Sequence, residues 1–562
     1  MLTNSRKLTK FEIGELLRQG VQCSNWQTID VAPEFDVHHM YNARLEGKVY
    51  IGKGVKIFNI GSKISDCIIS DDVTLENVAS ITCQKDANFG IGVKVNVVNE
   101  NGGRCTPMYL GMTAQSAYYI AMYRHKDENI AKFFSLIDAQ KTKNANSLSV
   151  ISKGTRISNC GTIDSVHIGE GNTLEGITLL KNGTTHSDCY LGYGVIMRDF
   201  ICEKGSMVDN ASQLNRCFVG ESAKIDSGFS AVDSMFFANC DMANGECCSV
   251  FAGPYTVSHH KSSLLIAGLF SFFNAGSGSN QSNHLFKTGA VHQAIHERGC
   301  KYGSNAYIMA PAHTGAYNVV LSRHSSHHNT QDFPFSYLLE NDGKSFLMPG
   351  AGLRSSGTAR DIEKWQNRDK REGEKKDLIN FEKWNPYITN KIIRAIEISE
   401  KLLEKDMPIY THERVRITSA MLRRGLQNYK MALNIALGNA LENKAELSDY
   451  GTGEWIDMAG MYAPKELIDS LEIETLEQFH EELRNIFMSY NVYSYTWALD
   501  KVKGQDIDQI IAQSKSDSEA LSKIIESDIK SDSSALMMTG YGIDESDNEL
   551  KTRDFKQVRN LE

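Results

Sequence analysis

The stretch that decides the fold reads Ile151-Ser-Lys-Gly-Thr155, Ile168-Gly-Glu-Gly-Asn-Thr173, Leu191-Gly-Tyr-Gly-Val195, Cys202-Glu-Lys-Gly-Ser206 and Val219-Gly-Glu-Ser-Ala223. One phrase returns: an aliphatic residue, often a glycine, two polar or glycine positions, then a small or β-branched residue. It also stands upstream as Ile51-Gly-Lys-Gly-Val55, Ile69-Ser-Asp-Asp-Val73 and Ile91-Gly-Val-Lys-Val95. Ile51 to Ile69 is 18 residues, Ile151 to Ile168 is 17 and Cys202 to Val219 is 17. Three short strands of about six residues close one triangular coil, so the period is that of a hexapeptide solenoid. The first residue of each phrase points inward and stacks on its counterparts. The small fifth residue fills the corner, where glycine tolerates the backbone angles. One coil exposes its apolar edge, so only a stack is stable.

Around that core the chain divides further. Residues 1–30 carry a capping helix, with Thr9 and Glu12 as a capping box and Gly20 as its stop. Coils fill 31–356. They are interrupted at 105–146, where Tyr118, Met122, Ile130, Phe133, Phe134 and Ile137 have helical spacing. Residues 357–384 form a charged linker helix, 385–540 an all-α domain and 541–562 a polar tail. The expected class is mainly β: a left-handed parallel β-helix with a helical insertion, followed by an all-α domain.

Composition narrows the function classes. Of 562 residues, 60 are Lys or Arg and 69 Asp or Glu, a formal charge of −9, which argues against a broad nucleic-acid surface. No apolar run reaches the roughly 18 residues of a membrane helix, and none follows the basic start MLTNSRKLTK. The 12 cysteines include no CxxC pair and end at Cys300, so they read as free interior thiols of a reducing compartment. The expectation is a cytoplasmic protein with neither membrane nor nucleic-acid partners.

The phrases resemble the left-handed β-helix superfamily of acyltransferases and nucleotidyl-sugar enzymes. Val97-Val-Asn-Glu-Asn-Gly-Gly-Arg104, Gly253-Pro-Tyr-Thr-Val-Ser-His-His260, Asn274-Ala-Gly-Ser-Gly-Ser-Asn-Gln-Ser-Asn-His284, Phe333-Pro-Phe-Ser-Tyr-Leu338 and Gly357-Thr-Ala-Arg-Asp361 narrow this. They are similar to a group of long bacterial hexapeptide-repeat proteins often labelled as related to UDP-N-acetylglucosamine pyrophosphorylase. A nucleotidyltransferase needs a glycine-rich G-x-G-T-R loop, which is absent here. The resemblance therefore implies the β-helical, acetylating half of such enzymes: acetyl-CoA or a similar acyl-CoA as co-substrate, a sugar or sugar nucleotide as acceptor, and a homotrimer.

Nine of the 16 histidines lie between His259 and His328. An acyltransferase needs a base to deprotonate an amine or hydroxyl before it attacks a thioester, and histidine titrates near neutrality. His259, His260, His284 and His292 are the candidates, with His260 or His284 favoured as the general base. Asn280, Gln281, Asn283 and His324 are placed to orient the acceptor, and Lys287, Arg298 and Arg323 to hold phosphate. In 360–371, Arg360, Lys364 and Arg368 share a helical face beside Trp365 and form a second candidate clamp for a nucleotide. Two alternatives stand beside the transferase. One is a non-catalytic ligand-binding or scaffold solenoid. The other is a metalloenzyme of the gamma-carbonic-anhydrase type, with a divalent metal on His292, His296 and His313.

Overall fold

The computed structural model describes residues 5–282 and 293–534. It is a parallel β-solenoid with helices gathered at its C-terminal end. The phrases pair in register: Ile51 with Ile69, Ile69 with Ile151 and Ile151 with Ile168. The same column continues through Thr185, Cys202, Val219, Phe236, Ala252 and Phe270 to His296 and Thr314. All are buried. The column is therefore apolar over most of its length and turns polar near its C-terminal end. Leu191 opens a neighbouring wall, pairing with Leu174 and Val208. Eight of the 12 cysteines are buried, and all 12 are free.

The corners are built by residues that accept the left-handed conformation. Asn42, Asn59, Asn77 and Asn159 sit at φ between 48° and 56°, each side chain donating to the next at 3.0–3.3 Å. Asparagine reaches this region with less strain than other side chains, and the amide ladder links successive coils.

Helix α1 (Lys10–Arg18) closes the N-terminal end with the Thr9–Glu12 capping box intact; Leu16 is buried and Arg6 pairs with Glu12 at 2.7 Å. The chain leaves the solenoid after Thr82 and rejoins it at Ser149. Ile91-Gly-Val-Lys-Val95 is thus not a coil, although it matches the phrase. Its strand Lys94–Asn96 pairs antiparallel with Cys105–Pro107. Helices α2 (Ala114–Met122) and α3 (Asp127–Asn144) follow. The insertion lies over an outward apolar stripe in which Ile201, Phe218, Met235, Phe251 and Leu269 are in register. Each such side chain removed from water contributes about 1.5–3 kcal/mol.

In the C-terminal part of the chain come α4 (Ser356–Asn367), α5 (Pro386–Leu403), α6 (Ser419–Glu442), α7 (Lys465–Asp469), α8 (Leu476–Met488), α9 (Tyr490–Lys501) and α10 (Ile507–Ser534), with α7 and α8 packed on the insertion. The expected all-α domain needs correction. Ile409–His412 and Val415–Thr418 form a hairpin whose second strand pairs with Lys344–Met348 of the solenoid, and Trp455–Met458 pairs with Met461–Pro464. Each strand is only four residues long, too short to break the helical spacing around it. Ile388, Ile392, Leu422 and Tyr429 of α5 and α6 share one apolar core with the solenoid, so this region is no separate body. Among the described residues no helix is long and apolar enough to cross a membrane.

Candidate functional site

The histidines of the 258–328 stretch do not converge, because strand alternation sends neighbours to opposite sides of the wall. Ile295 and His313 are in register on the outer side, and His296 and Thr314 on the inner side. His296 is fully buried, with one ring nitrogen 3.2 Å from Gln281 Nε2 and the other 3.2 Å from Thr314 Oγ1; Tyr302 also bonds it. Thr314 Oγ1 lies 3.1 Å from His328 Nε2. Burial pushes His296 well below the usual histidine range and His328 to about 3, so both are neutral core imidazoles. His324 is buried as well, bonding Ser345 and the Leu321 carbonyl at 2.8 Å each. Gln281 and His324 therefore serve the solenoid interior.

His313 faces outward, 2.7 Å from Glu297, which Lys391 also holds at 2.9 Å. His296 and His313 lie on opposite sides of the wall and cannot share a metal. Among the described residues no three His, Cys, Asp or Glu side chains gather as a metal set. The ligand set expected on His292, His296 and His313 is not assembled; His292 itself lies outside the described residues, as do His284, Asn283 and Lys287.

Arg298 is no phosphate ligand. It is fully buried between the rings of Phe272 and Tyr462, at 4.1 and 4.2 Å, and bonds Asp457 and the carbonyls of Asn380 and Gly460. Arg323 is exposed over the Tyr307 ring at 5.0 Å, and Asn280 is half-buried on a strand paired with Tyr307–Met309. His260 is exposed.

Of the candidate bases among the described residues, His259 stands in a cleft and His260 does not. Its Nε2 lies 3.1 Å from Asp241 Oδ1, in a pocket of about 360 Å³ between the solenoid and α4. A second pocket of about 370 Å³ shares Ser222 and Lys370 with it, and a third of about 120 Å³ shares Lys301, Asp361 and Trp365. The three form one groove. Its floor is a single register column: Lys224, Asp241, Val257, Asn274, Lys301, Val319 and Tyr337. Six steps of about 4.8 Å make it about 29 Å long.

The roof is α4 and the strap that follows it. Trp365 packs on Phe272 and Tyr317, with ring centroids 4.7 and 6.2 Å away. Asp361 accepts from Lys364 at 2.7 Å and Lys301 at 3.0 Å. Burial works against its charge, yet these two cations hold the carboxyl below the usual range. Asp528 of α10 accepts from the Ser356 backbone N–H and hydroxyl at 2.8 Å, setting a negative charge at the start of α4. The strap is tied to the coil edges by Asn239 with Asp369 and Lys370 N and by Ser222 with the Lys370 carbonyl, and Arg371 braces it internally on Asp369.

The groove is polar along its length. At one end Lys204, Lys224, Lys370 and Arg371 line the wall beside the carboxyl groups of Asp188, Glu221 and Glu372; at the other stand Tyr317, Val319, Tyr337 and Ile362, with the Lys301–Asp361 pair. Among the described residues the side chains of Lys204, Arg368 and Lys370 have no ion-pair partner, while Lys224 is paired with Asp226 at 3.0 Å. Of the clamp read on one helical face, Lys364, Trp365 and Arg368 line the central pocket, whereas Arg360 is exposed outside that lining and pairs with Asp361. Asp241, Lys301, Lys204 and Lys370 were not legible as site residues. The sequence signal for Asp241 and Lys301 is the 16–27-residue spacing that stacks the column, and Lys370, on the strap, has none.

The family model described as Domain of unknown function (DUF4954) matches residues 49–403, which contain the whole groove. A second, described as Domain of unknown function (DUF6819), matches residues 438–561. An "Uncharacterized protein" of Treponema pallidum (strain Nichols) is 23% identical over 451 residues, covering 71% of this chain and 62% of that relative. The chain thus spans less than two thirds of the relative's length.

Proposed function

The chain belongs to the family described as a domain of unknown function, DUF4954, and we propose that it is an acyltransferase that moves an acyl group from a CoA thioester to a sugar or sugar nucleotide in the groove beneath α4. The observation that carries this reading is the groove's polarity. Unpaired cations stand at one end, a histidine–aspartate pair in the middle and an apolar, aromatic wall at the other. Lys204, Lys370 and Arg368 supply charge for the donor's phosphates, and the floor from Val257 to Val319 supports an extended, uncharged arm. His259 takes the proton from the acceptor's hydroxyl or amine. Asp241, on one ring nitrogen, fixes the tautomer and stabilises the imidazolium that forms. Asn274 lines the same pocket and offers an amide group to sugar hydroxyls.

The reading takes the protein as a cytoplasmic homotrimer packed through solenoid faces that the insertion leaves bare. A light-scattering mass of one chain would remove the trimer from it.

The test is thiol release from acetyl-CoA by the full-length chain across UDP- and GDP-sugar acceptors. His259→Ala is expected to lower turnover by about 10²–10⁴ while leaving donor binding intact. Donor binding without acceptor-dependent thiol release would leave a binding solenoid. Unchanged turnover in His259→Ala would move the base elsewhere.

A further inference from the structure

Helix α4 has a second face. Away from the groove floor it walls an open pocket of about 490 Å³, lined also by residues 381–384, α6 and α10. Lys383 reaches into it. Its ammonium lies 4.5 Å from the Trp384 ring centroid and 5.7 Å from that of Phe335, whose rings are 6.1 Å apart. Among the described residues no carboxylate is within ion-pair distance of it. Glu363 of α4 is the titratable group facing it from the wall, and α6 and α10 bring none to the lining. Ile362, Phe381 and Leu521 make much of the remaining surface apolar, with Ser518 and Ser522 as hydroxyls.

Lys383 is half-buried there, so its amine has lost part of its water and gained no counter-charge. Two aromatic faces offset part of the cost through their quadrupoles, but burial still pushes Lys383 down to about 8. At pH 7.4 an ordinary lysine near 10.4 has about one amine in a thousand unprotonated; one near 8 has about one in five.

We propose that Lys383 is a covalent site for a small aldehyde or ketone with a flat, unsaturated body, which it holds as an imine. The Nζ lone pair attacks the carbonyl carbon and the C=O π pair moves to oxygen. One proton passes from nitrogen to that oxygen, giving a carbinolamine. Loss of the hydroxyl with the second N–H proton releases one water and leaves C=N. No electrons are gained or lost, and no further reactant is needed. The flat body lies among Trp384, Phe381 and Ile362, and the site is independent of the groove and of the transferase reading.

The experiment treats the full-length chain with benzaldehyde and sodium cyanoborohydride at pH 7.4, the borohydride reducing the imine, and maps benzylated lysines by peptide mass. Lys383 is expected to label at least tenfold faster than the exposed Lys53 and Lys405, with a rate midpoint near pH 8 rather than near 10. Lys383→Arg, which keeps the cation and the packing, removes the fast adduct and leaves the slow ones. Labelling of Lys383 no faster than that of Lys53, or a fast adduct that persists in Lys383→Arg, overturns the proposal. The first of these readings needs no variant to fold.

Discussion

Replacing Asp457 with asparagine leaves a fully buried guanidinium without its counter-charge. Asp457 accepts Arg298 Nε at 2.8 Å and Nη2 at 3.4 Å, and its Oδ1 also accepts the Gly460 N–H at 2.8 Å. Breaking a buried pair by removing one partner costs about 3–5 kcal/mol. Here Arg298 keeps the carbonyls of Asn380 and Gly460, at 2.6 and 2.7 Å, and stays between two rings. The lower end, about 3 kcal/mol, is therefore expected. The loss falls on the hairpin Trp455–Pro464, which Arg298 ties to the solenoid. At about 1.4 kcal/mol per factor of ten, amide protection there should drop about 10²-fold in hydrogen exchange, with the coils around Ile168 unaffected. Arg298→Met with Asp457→Asn removes both charges, so its loss should fall short of the sum of the single losses by at least about 1 kcal/mol. Protection within threefold of the parent in Asp457→Asn, or strict additivity, would refute the claim that this pair anchors the C-terminal region.

Two further outcomes follow from buried and strained groups. Burial, with Asp377 beside it, pushes the Glu221 carboxyl up to about 7. An acid raised on folding favours the folded state fully below its ordinary value near 4.5, and that contribution is lost as pH rises through 7. Glu221→Gln should therefore match the parent below pH 4.5 and exceed it by about 2–3 kcal/mol above pH 7, read from urea unfolding at the two pH values. At the corner ladder, Asn77→Ala should cost about 2 kcal/mol because φ is 53°, whereas Asn77→Gly should cost less than about 1, losing only exposed amide bonds. Equal losses in thermal unfolding would assign the cost to the bonds rather than to the backbone.

How far the sequence was legible follows from what repeats. Inward residues must stack, so Ile51, Ile69, Ile151 and Ile168 carry the solenoid in their spacing and fall in one register column. Ile91 has the same phrase and no coil, because a phrase specifies a corner only when its neighbours above and below exist. The histidine cluster misled by one residue of parity: His296 points in and His313 out. The two C-terminal hairpins hide in four-residue strands between helices. The groove was half visible. Lys364 and Arg368 share a helical face beside Trp365, which periodicity shows, but the floor opposite is assembled from Lys224, Asp241, Asn274 and Lys301. Their adjacency exists only once five coils are stacked. His259 was named as a base from composition; its partner Asp241 is 18 residues away and one coil back.

The central claim is that the groove beneath α4 holds a phosphorylated, elongated ligand by its cationic end. Calorimetric titration of acetyl-CoA into the full-length chain, and into Lys204→Glu with Lys370→Glu, tests it most directly. Both lysines are unpaired on the groove wall, so reversing them should leave the fold intact. The account predicts saturable binding to the parent, weakened more than tenfold by the double reversal and by raised salt. Binding of equal strength to both proteins, or none to the parent, would contradict it.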